Sequence, residues 1–153
     1  MSCPFCTIEE KDIVGKGFVA RAQIIFENEK FILFYNLKPV FMGHILLSPK
    51  KHIPSFLEMG ENEVEEMSRI LHMATKAVVH TYNAEGFNIA LQEGEIAGQS
   101  IPHLHWHIIP RTKDESGEWY EKIEDPSLRV VGTEETKKNV ALIKEAWREL
   151  YGG

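Results

Sequence analysis

Cysteine is nearly missing from this chain: Cys3 and Cys6 are its only two among 153 residues, so no disulfide framework can carry the fold. Their C-x-x-C spacing, in a reducing compartment, favours half a metal site or a redox pair, although two incidental reduced thiols fit the spacing as well. Long apolar runs are also lacking, and none approaches the length of a membrane span, so no membrane partner is expected. Positive charge is in deficit, with 17 Lys and Arg against 23 Asp and Glu and a net charge of −6. That balance excludes general electrostatic attraction to nucleic acid, and any phosphate must be held by a local site. The opening MSCPFC has neither a charged leader nor an apolar stretch, which predicts a cytoplasmic protein. Repeats, low-complexity tracts and linkers are absent, so residues 1–153 read as a single domain.

What is present alternates between strands and helices. Residues 23–26 and 31–35 are rich in β-branched and aromatic side chains around a turn-like Glu27-Asn28-Glu29, which predicts a hairpin, and 44–48 predicts a third strand. From 61 to about 82, Val64, Met67, Ile70, Leu71, Ala74 and Val78 recur at three- and four-residue spacing, opposite Glu63, Glu66, Arg69 and Lys76. This is the pattern of a helix with one face on a sheet. Asn83 and Gly86 end it, and 87–91 follows as a strand. A second helix is expected over 133–151, with Thr133 or a neighbour as its cap and Val140, Leu142, Ile143, Ala146, Trp147 and Leu150 as its apolar stripe. Residues 112–129 read as irregular.

The informative segment is His103-Leu104-His105-Trp106-His107-Ile108-Ile109, where histidine alternates with large apolar residues until Pro110. On a strand, alternate side chains share a face about 6.6 Å apart, so the three imidazoles form a row and Trp106 faces the other way into the core. An imidazole titrating near neutrality can attack phosphorus unassisted while its neighbours hydrogen-bond phosphate oxygens. Two histidines at such spacing can also chelate a metal that activates water, but that needs further ligands. The preceding loop, residues 94–100, supplies amide, hydroxyl and backbone groups with one carboxylate and no histidine, which suits phosphate better than metal.

HLHWHII resembles the defining motif of the histidine-triad superfamily, and AGQS before it and Pro110-Arg111 after it match the usual surroundings. The resemblance runs from about Cys3 to Arg111 and includes the Gly43-His44 strand. Within the superfamily, Asn36-Leu37-Lys38-Pro39-Val40, Gln92-Glu93-Gly94 and Ala97-Gly98-Gln99-Ser100 look most like the fragile-histidine-triad branch, whose enzymes split dinucleoside polyphosphates. Many bacterial and archaeal members hold a structural zinc with a C-x-x-C pair, the histidine of a P-K-x-H stretch and the first triad histidine. The resemblance therefore implies Cys3, Cys6, His52 and His103 as zinc ligands. It also implies an α+β fold with an antiparallel sheet of about five strands and two main helices, the sheet continued across a homodimer.

The implied mechanism is attack of His105 on the α-phosphorus of a nucleotide substrate, followed by hydrolysis of a covalent nucleotidyl-histidine. His107 would hydrogen-bond the α-phosphate, Ser100 would stabilise the transition state, and Gln99 would assist the leaving group and position water. Asn36 resembles the residue that bonds the ribose hydroxyls, and Gln92 lies where the family places a group near the phosphates. Phe26, Ile45 and Leu47 are candidates for an apolar base pocket or, alternatively, plain core. His44 is expected to support the triad from behind. The competing activities are hydrolysis of a purine-nucleoside phosphoramidate and phosphorolysis of a dinucleoside polyphosphate. A zinc-stabilised binding module is the remaining alternative, disfavoured because binding needs no nucleophile.

Overall fold

The computed structural model describes residues 3–113, 123 and 128–152. Its centre is a five-stranded antiparallel sheet built from β3 (Ile24–Glu27), β4 (Phe31–Tyr35), β5 (Ile45–Pro49), β6 (Gly86–Leu91) and β7 (Trp106–Arg111), in the spatial order β3-β4-β5-β7-β6. Two further strands of two residues each, β1 (Ile8–Glu9) and β2 (Val19–Ala20), pair in parallel beside it. The α-helices among the described residues are α1 (Glu61–Tyr82) and α2 (Thr133–Tyr151). This is the α+β arrangement expected from the sequence.

The sheet separates two apolar layers. Leu33, Tyr35, Ile45, Leu47, Trp106 and Ile108 project towards α1 and α2, where they meet Met67, Ile70, Ala74, Val78, Ile143 and Trp147. On the other face Ile32, Phe34 and Leu46, with Ile24 of β3, meet Phe5 and Val19 from the N-terminal segment. Strand parity forces this division, because neighbours such as Ile45 and Leu46 must point to opposite faces. Full burial of a side chain such as Ile70 or Ile143 contributes about 1.5–3 kcal/mol, so the helical layer carries much of the stability.

Both helices begin on glycine. At α1, Gly60 N–H donates to Glu63 Oε1 at 3.1 Å, and the C-terminus closes on Asn83 in the left-handed region at φ +50°. At α2 the cap is Gly132, not Thr133, whose hydroxyl instead accepts from Val14 N–H at 3.4 Å. α2 is clamped to the rest by stacking of Trp147 on Phe26, with centroids 4.7 Å apart, and by Tyr151 Oη–H donating to Met73 O at 2.7 Å. Of the segment expected to be irregular, residues 114–122 and 124–127, with Trp119 and Tyr120, lie outside the described residues.

The histidine segment departs from expectation at both ends. Strand β7 starts at Trp106, so His103 and His105 sit on its approach, and it runs through Pro110 to Arg111. Proline is tolerated because the last β5 partner is Ile45, opposite Ile108, which leaves Pro110 paired only with Phe87 of β6. The approach is held in extended form by bonds to the β5 end of the sheet. Ser48 Oγ–H donates to Leu104 O at 3.0 Å, and Leu104 N–H donates to Ile53 O at 2.9 Å. The alternation therefore survives, with Leu104, Trp106 and Ile108 in the helical layer.

Candidate active site

His105 and His107 line a cavity of about 360 Å³ on the face opposite the helices. Its walls include Phe5, Phe18, Val19, Phe34 and Leu46, and its polar groups include Asn36, Lys38, Lys16 and Ser100. Both histidines are almost completely buried, and their ring centroids lie 5.0 Å apart.

Hydrogen bonds fix which nitrogen of each ring carries the proton. His105 Nδ1 lies 2.7 Å from His103 O, an acceptor only, so Nδ1 must donate, and in the neutral ring Nε2 is the nitrogen with the lone pair. A relay works in the opposite sense at His107. Val40 N–H donates to His44 Nδ1 at 3.0 Å and takes its one lone pair. His44 Nε2 therefore holds the proton and donates to His107 Nδ1 at 2.9 Å, which leaves the His107 proton on Nε2. In these tautomers one ring of the pair can act as a nucleophile and the other as a hydrogen-bond donor.

Burial, and then the neighbouring His105, push His44 down to about 3 from its ordinary value. The relay ring is consequently neutral throughout the physiological range. In the unfolded chain His44 takes up a proton near pH 6.5, whereas the native ring does not until far lower pH. Between those values the unfolded state binds more protons, so stability falls as pH drops. Urea unfolding between pH 6.5 and 5 should show wild type losing about 1 kcal/mol more per pH unit than His44→Gln, which cannot titrate. Equal pH slopes in the two proteins would contradict a neutral relay.

Gly43 positions that relay. Its φ is +93°, its N–H donates to Tyr35 Oη at 3.0 Å, and an added Cβ would lie 2.5 Å from Tyr82 Cε2 and 2.7 Å from Pro110 Cγ. Gly43→Ala should lower stability by about 2–4 kcal/mol and displace His44. Denaturant melts check the first effect, and the His107 tautomer read by nitrogen NMR checks the second.

The remaining expected residues divide. Asn36 and Ser100 reach the cavity wall. Gln99 turns into its own loop, its Oε1 accepting from Gly94 N–H at 2.8 Å and its Nε2–H donating to Ile101 O at 3.0 Å. Gln92 packs under Gly98, and neither glutamine lines the cavity. Phe26, Ile45 and Leu47 are not brought to it either. All three belong to the helical side of the sheet, and Phe5, Phe34 and Leu46 take the apolar positions they were expected to fill. Leu46 could have been found from strand pairing, since it stands opposite His107 in the β5–β7 register.

Beside the cavity, one donor atom each from Cys3, Cys6, His52 and His103 lie within 4.8 Å of one another. His103 Nδ1 is 3.4 Å from Cys3 Sγ, 3.2 Å from Cys6 Sγ and 3.2 Å from His52 Nδ1. Tetrahedral bonds of the usual zinc lengths separate ligand atoms by roughly 3.3–3.8 Å, so the four donors fit one ion. His103 Nε2–H donates to Pro49 O at 2.8 Å, which turns the Nδ1 lone pair towards the cluster. Cys6 is pushed up to about 11 by loss of hydration and then by the adjacent Cys3 thiol, a crowding that a cation would relieve. The set can hold a metal.

The HIT domain matches residues 18–114, and the chain is a member of that family. It is similar to a bis(5'-adenosyl)-triphosphatase of Dictyostelium discoideum, 33% identical over 99 residues, covering 65% of this chain and 66% of the relative. Among solved structures it resembles a hypothetical histidine triad nucleotide-binding protein of Sulfolobus tokodaii, with 28% identity, a TM-score of 0.73 and coverage of 85% of this chain and 88% of that one. It also resembles a Zn-bound histidine triad family protein of Mycobacterium smegmatis, with 26% identity, a TM-score of 0.67 and coverage of 86% and 87%. The chain spans between half and two thirds of the length of the curated relatives it matches.

Proposed function

We propose that this protein is a nucleotidyl hydrolase or transferase that cleaves dinucleoside polyphosphates at the α-phosphate through a nucleotidyl-His105 intermediate. The observation that carries this reading is the His105 Nδ1–H bond to His103 O, which makes Nε2 the lone-pair nitrogen of the neutral ring, on a residue that lines a cavity beside His107. His105 Nε2 attacks the α-phosphorus in line. The P–N bond forms as the bond to the bridging oxygen breaks, and the remaining nucleotide leaves. His107 Nε2–H donates to a non-bridging oxygen, where negative charge is held in the transition state, and Ser100 stands at the same wall. Water then attacks phosphorus, the P–N bond breaks, and a nucleoside monophosphate is released. Two displacements retain configuration at phosphorus.

Several features extend the reading. The relative named as a triphosphatase supports the substrate class. Asn36 at the cavity wall suits the ribose hydroxyls, and Phe5, Phe34 and Leu46 suit a base. Gln99 would act only after its loop turns outward, and Gln92 beneath Gly98 would move with it. Zinc would be held by Cys3, Cys6, His52 and His103, closing its coordination shell and supplying structural cross-linking. The outer strand β6 exposes Phe87 and Ile89 at about half and two fifths of their surface, which favours continuation of the sheet into a second copy. No helix among the described residues is long and apolar enough to cross a membrane. The proposed location is the cytoplasm, where the Cys3 and Cys6 thiols stay reduced.

Single-turnover reaction with diadenosine triphosphate, quenched without acid, should yield protein heavier by one adenylyl group, carried on His105 in peptide mass spectra. Turnover without any adduct, even in Gln99→Ala, would refute the covalent route. Diadenosine triphosphate left intact while an adenosine phosphoramidate is consumed would move the assignment to the phosphoramidase alternative.

A further inference from the structure

We infer that Phe5 couples the four-ligand metal site to the nucleotide cavity, so that an ion on the Cys3 and Cys6 clip and a nucleotide in the cavity strengthen each other's binding. This rests on the nucleotide reading above. Phe5 sits between the two thiol ligands in the single 3-10 turn Pro4–Cys6. That turn is closed by Cys6 N–H to Cys3 O at 3.1 Å and Thr7 Oγ1–H to Cys3 O at 3.0 Å. So short a turn has little stability of its own, and its anchorage comes from what flanks it.

The Phe5 ring is buried edge-to-face against the nucleophile, with centroids 4.9 Å apart and planes at 85° to His105. It also meets Phe34 at 5.3 Å and His103 at 6.0 Å, and with Pro4 it forms part of the cavity wall. A second path joins the same places. His103 offers Nδ1 to the metal cluster while its carbonyl accepts the His105 Nδ1–H. An ion that draws Cys3, Cys6, His52 and His103 together therefore seats Phe5 and fixes the carbonyl that orients the nucleophile. A nucleotide that packs on the seated ring favours the same arrangement. Two ligands that select one state must assist each other by the same factor, which is commonly about 5-fold or more.

The test is calorimetric titration of AMP into protein loaded with one zinc and into the same protein after chelation. Circular dichroism confirms that both forms are folded. Zinc should tighten AMP binding about 5-fold or more, and AMP should tighten zinc binding equally. In zinc-loaded Phe5→Ala the metal stoichiometry should stay at one while AMP affinity falls to that of the zinc-free protein, with Phe5→Leu in between. Equal AMP affinity with and without zinc, or an undiminished zinc effect in Phe5→Ala, would overturn the coupling and leave the nucleotide reading standing. AMP binding to neither form would overturn both. If the chelated protein unfolds, the zinc-loaded Phe5 variants decide: wild-type AMP affinity in Phe5→Ala overturns the coupling.

Discussion

His105→Asn is expected to lower kcat for dinucleoside polyphosphate cleavage at least about 10³-fold while leaving AMP binding within a few fold of wild type. Asparagine keeps a group able to donate to His103 O, so the local backbone bond survives, but it offers no nitrogen lone pair for phosphorus. His107 cannot substitute, because the relay from Val40 through His44 leaves the proton, not the lone pair, on its Nε2. The loss should therefore appear in the chemical step and not in KM. Steady-state kinetics beside an AMP titration separates the two, and turnover near wild type would sink the nucleophile assignment.

Removal of the metal site is the second large effect. Cys3→Ser with Cys6→Ser, or chelation of wild type, should lower the melting temperature by about 10 °C, the equivalent of roughly 3–5 kcal/mol in a chain of this size. Metal analysis of untagged protein should give close to one zinc per chain. The residues tied down are those of the N-terminal segment, where β1 and β2 pair over only two residues each and contribute little by themselves. Activity should fall through displacement of Phe5 and His103 and recover when zinc is restored to chelated wild type. An unchanged melting temperature in the double variant would make the C-x-x-C pair incidental. Abolition of turnover before any change in fold would argue for a catalytic metal.

Much of this architecture is legible in the sequence where one face is apolar and the other polar. Helix α1 is an example, its apolar spacing and the terminal Asn83 marking the span that the structure adopts. The triad row is legible for the same reason, since alternation survives even where hydrogen bonding to β5 begins only at Trp106. The apolar wall of the cavity is not legible. Strands β4 and β5 are buried on both faces, so Ile45, Leu46 and Leu47 are equally apolar and nothing local says which side meets the cavity. That choice is made by the distant N-terminal segment, which brings Phe5 and Val19 to Phe34 and Leu46. The orientation of Gln99 is equally hidden, because its amide bonds depend on the turn of the loop from Gly94 to Gly98 and not on residue type.

The spacing of the four candidate metal ligands along the chain has a thermodynamic consequence. Cys3 and Cys6 stay three residues apart in any conformation, whereas His52 is 46 residues and His103 is 97 residues from Cys6. An unfolded chain thus retains a weak two-thiol chelator, and the complete set exists only when the sheet is formed. Zinc bound by all four would favour the native state by up to about 1.4 kcal/mol for each tenfold rise in its free concentration, until the two thiols of the unfolded chain also fill. Beyond that level more zinc adds nothing, and the plateau height measures the ratio of four-ligand to two-ligand affinity. The melting temperature of this chain, plotted against buffered zinc, is in effect a titration curve of its own unfolded state.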